Sequence, residues 1–456
     1  MHDVAIGIDI GTSYTKGVAL DENGSVISIQ RKQTVILNDH FEPHLVIAIN
    51  FWHDVKEIFS QLLCNKELIK YRVVSICVSA IAPTLTVFDS DRPDNAYSIL
   101  YSTVFDPLSD ELLGQCDPFL TEKRLEYLKS ISSKKKFKKP CITDLVGYIN
   151  FRLTNELTVN SISLSWMGLS GHKDFQKKLC VNGKLAPRPV AVLEKIGLTS
   201  KFFENDISLE SGIPVCGGCP DAMGSVVGSG MKYSSDTMIY LGTFGSVLKL
   251  DYDVDLLLKL KEFDKQPFNW ILSVPGFGPQ IEILSKQWFG HGSAHNCLLE
   301  LDETAKVISP GANGMFFSLP RWKNGMIPVG EFAFVQNNLR KSSDVRDKSR
   351  ALLESIGFAI RVLDLKAFNT IYVSGGGAKS KIWLDIISIV LQNAVKAFDL
   401  SWEAIGTAEI AGRMIWSNGV VFRSSYISNV EFTSSRDLIN DNYFKIKKYY
   451  YEHKWL

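Results

Sequence analysis

The chain has 456 residues, 45% hydrophobic and 22% charged, and its 50 basic and 49 acidic residues leave a net charge of +1. That length exceeds what one hydrophobic core fills, so two domains of roughly 200 residues each are expected. The balanced charge argues against a nucleic-acid or membrane-surface partner, and no apolar run reaches the roughly 18 residues that cross a bilayer. The opening residues MHDVAIGIDIG lack the basic and long apolar regions of a signal peptide. The eight cysteines, at 64, 77, 116, 141, 180, 216, 219 and 297, are scattered rather than spaced as a disulfide framework. A soluble, cytoplasmic protein is the expectation.

In chain order, Val4 to Ile10 is an apolar β-type run, turned by Gly11-Thr12-Ser13 and returned by Lys16 to Leu20. Asp21-Glu22-Asn23-Gly24 has hairpin chemistry and leads into a third strand, Ser25 to Gln30. Phe51 to Cys64 has helical spacing, Val73 to Ser79 reads as a strand, and Leu85 to Asp89 as another, ended by an Asp-Arg-Pro-Asp loop. Residues 107–200 read as mostly helix and loop, with the basic run Lys134 to Lys139 as a solvated face.

A second beginning follows near residue 236. Thr237 to Leu241, the turn Gly242-Thr243-Phe244-Gly245-Ser246 and Val247 to Leu250 repeat the strand, Gly-Thr turn and strand of the N-terminus. The second half continues with a helix from Asp347 to Leu363, a strand from Thr370 to Ser374, and helices over Ser380 to Gln392 and Glu403 to Trp416. Alternating strands and helices in both halves predict α/β domains with mixed sheets. The boundary is placed near 230, after the Gly/Ser-rich stretch Gly224 to Gly230, giving domains 1–230 and 231–456. The tail 420–456 reads as a final helix.

Four segments carry chemistry. In Asp9-Ile10-Gly11-Thr12-Ser13-Tyr14-Thr15-Lys16, the glycine turn with Thr12 and Ser13 can donate to phosphate oxygens, Asp9 suits magnesium, and Lys16 adds positive charge. A plain β-hairpin is the ordinary alternative. Gly242 and Thr243 form the matching turn of the second half. Gly375, Gly376 and Gly377, followed by Ala378-Lys379-Ser380, leave a strand and enter a helix, where a base or phosphate can approach the backbone. Gly212 to Gly224 ends a short apolar approach in a glycine-rich loop and starts a small-residue helix with Asp221, suited to accept a hydroxyl proton. Helix capping is the alternative role for that aspartate. Cys216 and Cys219 read as small buried residues rather than metal ligands, and His291 and His295 lack acidic company.

These segments, in this order, resemble the FGGY family of carbohydrate kinases. Arg152-Leu153-Thr154-Asn155-Glu156 is similar to that family's R-L-T-G-E stretch, and Ala404-Ile405-Gly406-Thr407-Ala408 to its late A-x-G-A-A helix. The resemblance covers about residues 4 to 416. It implies two actin-like (ribonuclease H-like) domains, with mixed sheets flanked by helices, closing a cleft over ATP, Mg2+ and a sugar or polyol. By matched position Asp221 is the general base. Asp9 serves the metal, and Gly11, Thr12, Ser13 and Lys16 the γ-phosphate. Gly242 and Thr243 line the phosphates, while Gly375, Gly376, Gly377 and Lys379 take the nucleoside. The N-terminal domain holds substrate and base, the C-terminal domain the nucleotide.

The departures fall on the sugar side. Val78-Ser79-Ala80-Ile81 replaces a Gly-Gln, the stretch Leu100 to Asp106 lacks the Asp/Arg pair in register, and Val159-Asn160 replaces Thr-Asp. Glu42, Trp52, Tyr101 and Asp106 are the candidate replacement contacts. Phosphorylation of a ketose such as xylulose is the preferred activity. The competing reading is a non-catalytic nucleotide- or sugar-binding regulator, and a filament-type actin relative is a third. A homodimer is left open.

Overall fold

In the computed structural model the chain divides into two compact units, each assembled from separate stretches. Unit 1 comprises Met1–Lys232, Asp251–Pro267 and Leu400–Arg423, and unit 2 comprises Tyr233–Leu250, Phe268–Asp399 and Ser424–Leu456. The structure describes residues 2–100, 121–169, 175–181, 183, 185–201, 207, 209–242, 244–263, 266–275, 277–290, 293–318, 335–338, 344–362, 370–397, 402–416, 426–427, 439–440, 443–444 and 446–448.

Unit 1 is organised on a sheet whose strand order is Lys195–Leu198, Pro214–Cys216, Tyr71–Ala80, His2–Ile10, Tyr14–Asp21, Val26–Gln33. The first three strands in sequence form an antiparallel meander, and Tyr71–Ala80 joins His2–Ile10 in parallel. A parallel join needs a crossover, and the Ile49–Leu63 helix supplies it, burying Phe51, Trp52, Val55, Ile58, Phe59 and Leu62 on the sheet. Each such side chain contributes about 1.5–3 kcal/mol of transfer free energy. The strand Cys219–Pro220 also pairs with Tyr71–Ala80, at Ser79 and Ala80.

A second, four-stranded sheet of unit 1 has the order Val46–Ile47, Arg92–Ile99, Leu85–Asp89, Pro140–Asp144. The expected Asp-Arg-Pro-Asp loop is shorter than read: Arg92 already pairs with Asp89, and Pro93 enters the strand near its start, where a missing N–H is tolerated. Within 107–200 the described residues include the strands Pro140–Asp144, Thr158–Asn160, Arg188–Val190 and Lys195–Leu198. Runs of three to five residues are too short to show an alternating pattern, so tertiary pairing decides them. Asn155 ends the Leu145–Thr154 helix at φ 66°, a left-handed C-cap that asparagine tolerates well.

Unit 2 repeats the plan. Thr237–Leu241, Phe244–Leu250 and Phe268–Pro275 form an antiparallel meander, and Ile371–Ser374 joins Thr237–Leu241 in parallel. The likeness between the two Gly-Thr segments is therefore a likeness of topology as well. Val345–Val362 and Lys381–Leu391 cover this sheet with Leu352, Ile356, Ile360, Leu384 and Ile387. Of the tail, the strand Tyr426–Ile427 and a few residues beyond it are described; most of the expected final helix lies outside the described residues.

The Trp402–Ile415 helix follows the Val395–Ala397 strand of unit 2 in sequence yet belongs to unit 1. It crosses the Asp221–Gly228 helix at backbone distance. A Cβ at Gly406 would lie 1.9 Å from the Gly224 carbonyl oxygen, and one at Gly228 would lie 2.2 Å from the Trp402 carbonyl oxygen. The Gly/Ser-rich stretch Gly224 to Gly230 lies largely in the small-residue helix expected to start at Asp221, and its glycines permit this crossing.

Candidate active site

Register brings the first charged residues together. Asp9 pairs with Lys16 on one neighbouring strand and with Ser79 on the other, and Ser79 pairs in turn with Cys219. Residues opposite one another across strands share a face of the sheet. The Ser79 hydroxyl donates to Asp9 Oδ1 at 2.8 Å, and Lys16 Nζ stands 3.6 Å from Asp9 Oδ2. The Trp402–Ile415 helix adds Glu403, whose Oε2 accepts from Lys16 Nζ at 3.1 Å, and Thr407, whose Oγ1 lies 2.7 Å from Ser79 Oγ.

Asp221 follows Cys219 and Pro220 directly, as the first residue of its helix, and its Oδ1 accepts from the Ala222 N–H at 2.9 Å. The loop before it is held by two buried amides. Asn150 Nδ2 donates to the Gly217 carbonyl at 2.9 Å and Asn160 Nδ2 to the Gly218 carbonyl at 2.5 Å. Asn160 Oδ1 meanwhile caps the Ser161–Trp166 helix through Ile162 N and Ser163 N. That dual role needs both a donor and an acceptor, which an asparagine supplies and a carboxylate does not.

The electrostatics are those of a crowded acidic site. Burial raises the Asp221 carboxyl to about 8, with the Asp9 and Glu403 charges adding and Lys16 opposing, although the side chain keeps partial solvent exposure. Burial also raises Asp9 to about 6, against the pull of Lys16 and with the push of Glu403. For Lys16 burial acts downward, but the flanking Asp9 and Glu403 carboxylates outweigh it and lift the ammonium above its ordinary value. Burial is the larger cause for both carboxyls, and Lys16 offsets it only in part.

The turn Gly11 to Tyr14 is latched from outside the motif. Thr34 Oγ1 donates to the Gly11 carbonyl at 2.9 Å, and Thr34 N donates to the Ser13 carbonyl. The side chains of Thr12 and Ser13 are exposed. Of the residues proposed for substrate, Tyr101 and Asp106 lie outside the described residues, as does Thr243. Trp52 is only 1% exposed and packs in the core beneath the Arg152 guanidinium, so no surface of it is offered to a ligand. Glu42 is held by its own chain, accepting from Tyr127 Oη at 2.6 Å and Lys134 Nζ at 2.7 Å. Lys135 likewise pairs with Asp39 at 2.8 Å, so part of the basic run is a paired face rather than a solvated one. Cys216 and Cys219 are buried free thiols.

In unit 2 the parallel pair Tyr240 and Ser374 sets the ends of two strands side by side. Gly242 and Gly375 leave them together: Gly375 has φ 92°, and a Cβ on it would lie 2.6 Å from the Leu241 carbonyl oxygen. Gly376 faces open space, with nothing nearer to its Cβ position than that same oxygen at 4.0 Å. Lys379 is exposed, and Ser380 Oγ caps the following helix by accepting from Trp383 N at 3.0 Å. Backbone opened in this way at strand ends and beside a helix N-terminus suits a phosphate or nucleoside.

Sequence reading missed Glu403, Thr407, Ser79, Thr34 and Asn150 as site residues. Thr407 stood inside the segment likened to the late A-x-G-A-A helix, and Glu403 directly before it. Ser79 stood in the stretch that replaces the family's Gly-Gln, while Thr34 and Asn150 carry no motif and reach the site only through tertiary contacts.

Two units with repeated meander-plus-parallel-strand topology define the actin-like two-domain fold. A crystal structure of xylulose kinase from Rhodospirillum rubrum shares it over 98% of both chains at TM-score 0.76 and 20% identity. Gluconate kinase from Lactobacillus acidophilus shares it at TM-score 0.73 and 16% identity, over 99% of this chain and 98% of that one. Residues 4–104 match the model of the FGGY family of carbohydrate kinases, N-terminal domain. The xylulose kinase of Staphylococcus epidermidis strain ATCC 12228 is 22% identical over 439 residues, 87% of this chain and 84% of that relative. Residues 4–104 thus carry the likeness to the family's N-terminal domain, and the chain as a whole is similar to carbohydrate kinases over most of its length. No helix among the described residues is long and apolar enough to cross a membrane.

Proposed function

We propose that this enzyme transfers the γ-phosphoryl group of ATP to a hydroxyl of a small sugar or polyol, with a ketose of the xylulose type as the preferred acceptor. The observation that carries the reading is the meeting of Asp221 with Asp9 and Lys16 in unit 1. The xylulose kinases among the similar proteins support the choice of acceptor, and the gluconate kinase supports a wider panel.

In this reading Asp221 accepts the proton of the attacking hydroxyl. Its high proton affinity makes it an effective acceptor once ionised, and its remaining exposure leaves a path for the acceptor. Asn150 and Asn160 fix the loop before it, so the carboxylate keeps its place. Lys16 lies where negative charge on the transferring group would be stabilised. Thr12, Ser13 and Gly11 turn the backbone for phosphate contact. In unit 2, Gly242 and Thr243 serve the phosphates, and Gly375, Gly376, Gly377 and Lys379 the nucleoside.

Magnesium suits the donor set. It is commonly bound by one or two carboxylates together with phosphate oxygens and water, and Asp9 offers a buried carboxylate at the end of its strand. When bound, the ion neutralises charge on the nucleotide phosphates and lowers the proton affinity of the nearby carboxyls.

The test is a coupled ADP-release assay with MgATP against ketoses, polyols and sugar acids, run alongside Asp221→Asn. One acceptor stimulating ADP release, with its phosphorylated product confirmed, is expected. The variant should lose about 10²- to 10⁴-fold in turnover while retaining nucleotide binding. Near-normal turnover in Asp221→Asn would remove that residue as the base. Intact ATP binding with no stimulation by any acceptor would favour the regulator reading.

A further inference from the structure

Glu403 makes a contact that the phosphoryl-transfer reading does not use. Lys16 Nζ sits closer to Glu403 Oε2, at 3.1 Å, than to Asp9 Oδ2, at 3.6 Å. The Lys16 and Glu403 side chains retain 21% and 13% exposure, so the pair is only partly screened by water.

Glu403 is also firmly placed. It lies in the first turn of the Trp402–Ile415 helix, and its carbonyl oxygen lies 2.6 Å from Thr407 Oγ1. A Cβ at Gly224 would stand 2.7 Å from that carbonyl. The helix therefore cannot withdraw Glu403 without also moving off the Asp221–Gly228 helix. A fixed carboxylate on the lysine offers the same charge that a phosphate oxygen would.

We propose that Glu403 is a positioning residue: it holds the Lys16 ammonium beside Asp9 when no nucleotide is bound and competes with the nucleotide's terminal phosphate for it. The inference rests on the reading that the first loop takes phosphates. Its consequence is opposite in sign to that of a structural defect, because removing the competing charge strengthens anion binding.

The experiment is a double-mutant cycle of Glu403→Gln and Lys16→Ala on the full chain, read by calorimetric binding of a non-hydrolysable ATP analogue with Mg2+. Melting temperatures are recorded throughout. Glu403→Gln should bind the analogue roughly three- to tenfold tighter. Glu403→Asp should return to within about twofold of the wild type, and in the Lys16→Ala background Glu403→Gln should change nothing. Should the glutamine variant fail to fold, Glu403→Ala replaces it with the same expectation. Unchanged or weaker binding in a folded Glu403 variant, with Lys16→Ala weakening binding, overturns the role of Glu403 alone. If Lys16→Ala leaves affinity unchanged, the phosphate reading of the first loop falls, and this inference with it.

Discussion

The two units share a meander with a parallel fourth strand but build their sites from different material. Unit 1 gathers side chains, Asp9, Lys16, Ser79, Asp221, Glu403 and Thr407, from two strands of the meander, the parallel strand and two helices. Unit 2 offers glycine backbone, at Gly242 and Gly375 to Gly377, on two adjacent strand ends, with Gly376 facing open space and the other three packed closely on their neighbours. A side-chain site of this kind depends on distant segments staying packed. A backbone site depends on local turn geometry and on the absence of side chains. The same topology thus carries a candidate site of charged side chains in one unit and a candidate site of glycine backbone in the other.

That contrast can be broken first at the helix crossing. Gly406→Ala drives a Cβ to within 1.9 Å of the Gly224 carbonyl oxygen, so the two helices must separate. A loss of about 3 kcal/mol is expected, together with a fall in turnover as Glu403 and Thr407 move. Thermal melting and the ADP-release assay check both, and an unchanged melting temperature would show that the crossing yields cheaply.

A smaller effect tests the charge of the unit 1 site. The folded-state carboxyl of Asp221, at about 8, lies above its ordinary value, so between the two the folded protein holds a proton that the unfolded chain has released. Stability from this group is therefore present at low pH and lost as pH rises from about 4 through 8. Asp221→Asn removes that loss. At pH 8 to 9 the variant should be more stable than the wild type by on the order of 1–2 kcal/mol, once solvent screening of a partly exposed carboxyl is allowed for. The gap should close toward pH 4. Denaturant titrations at the two pH values check it, and a gap independent of pH would point to packing instead.

The smallest expected effect on stability belongs to unit 2. Gly376→Ala places a methyl group in open space, so stability should stay within about 0.5 kcal/mol. Nucleotide affinity should nonetheless fall if the nucleoside lies on this loop. Equal loss of stability in Gly376→Ala and Gly406→Ala would erase the distinction between the two kinds of site.

Much of the local structure was legible because its signals are local. The opening meander follows from apolar strands punctuated by Gly11 and by the Asp21 to Gly24 turn, and the amphipathic Ile49–Leu63 helix from its apolar spacing. Asp9, Lys16 and Asp221 could be singled out because their segments set charged residues beside glycines. Trp52 was misread because a tryptophan near a presumed site looks the same in sequence whether it faces a ligand or, as here, the core. The short strands of residues 140–198 offered no period to read.

By itself the sequence determined where chain reversals fall, which stretches are apolar on one face, and which loops can present backbone to an anion. These depend on residues within a few positions of one another. Tertiary structure alone decided that the late Trp402–Ile415 helix returns to unit 1 and presses on the Asp221–Gly228 helix, bringing Glu403 to Lys16 across 387 positions. It also decided that Asn150 and Asn160 grip the loop of Asp221. Contacts of that range arise from the packing of complementary surfaces, glycine against glycine carbonyl and amide against buried carbonyl. No local propensity encodes them, because each partner is an ordinary residue until the fold sets the other beside it.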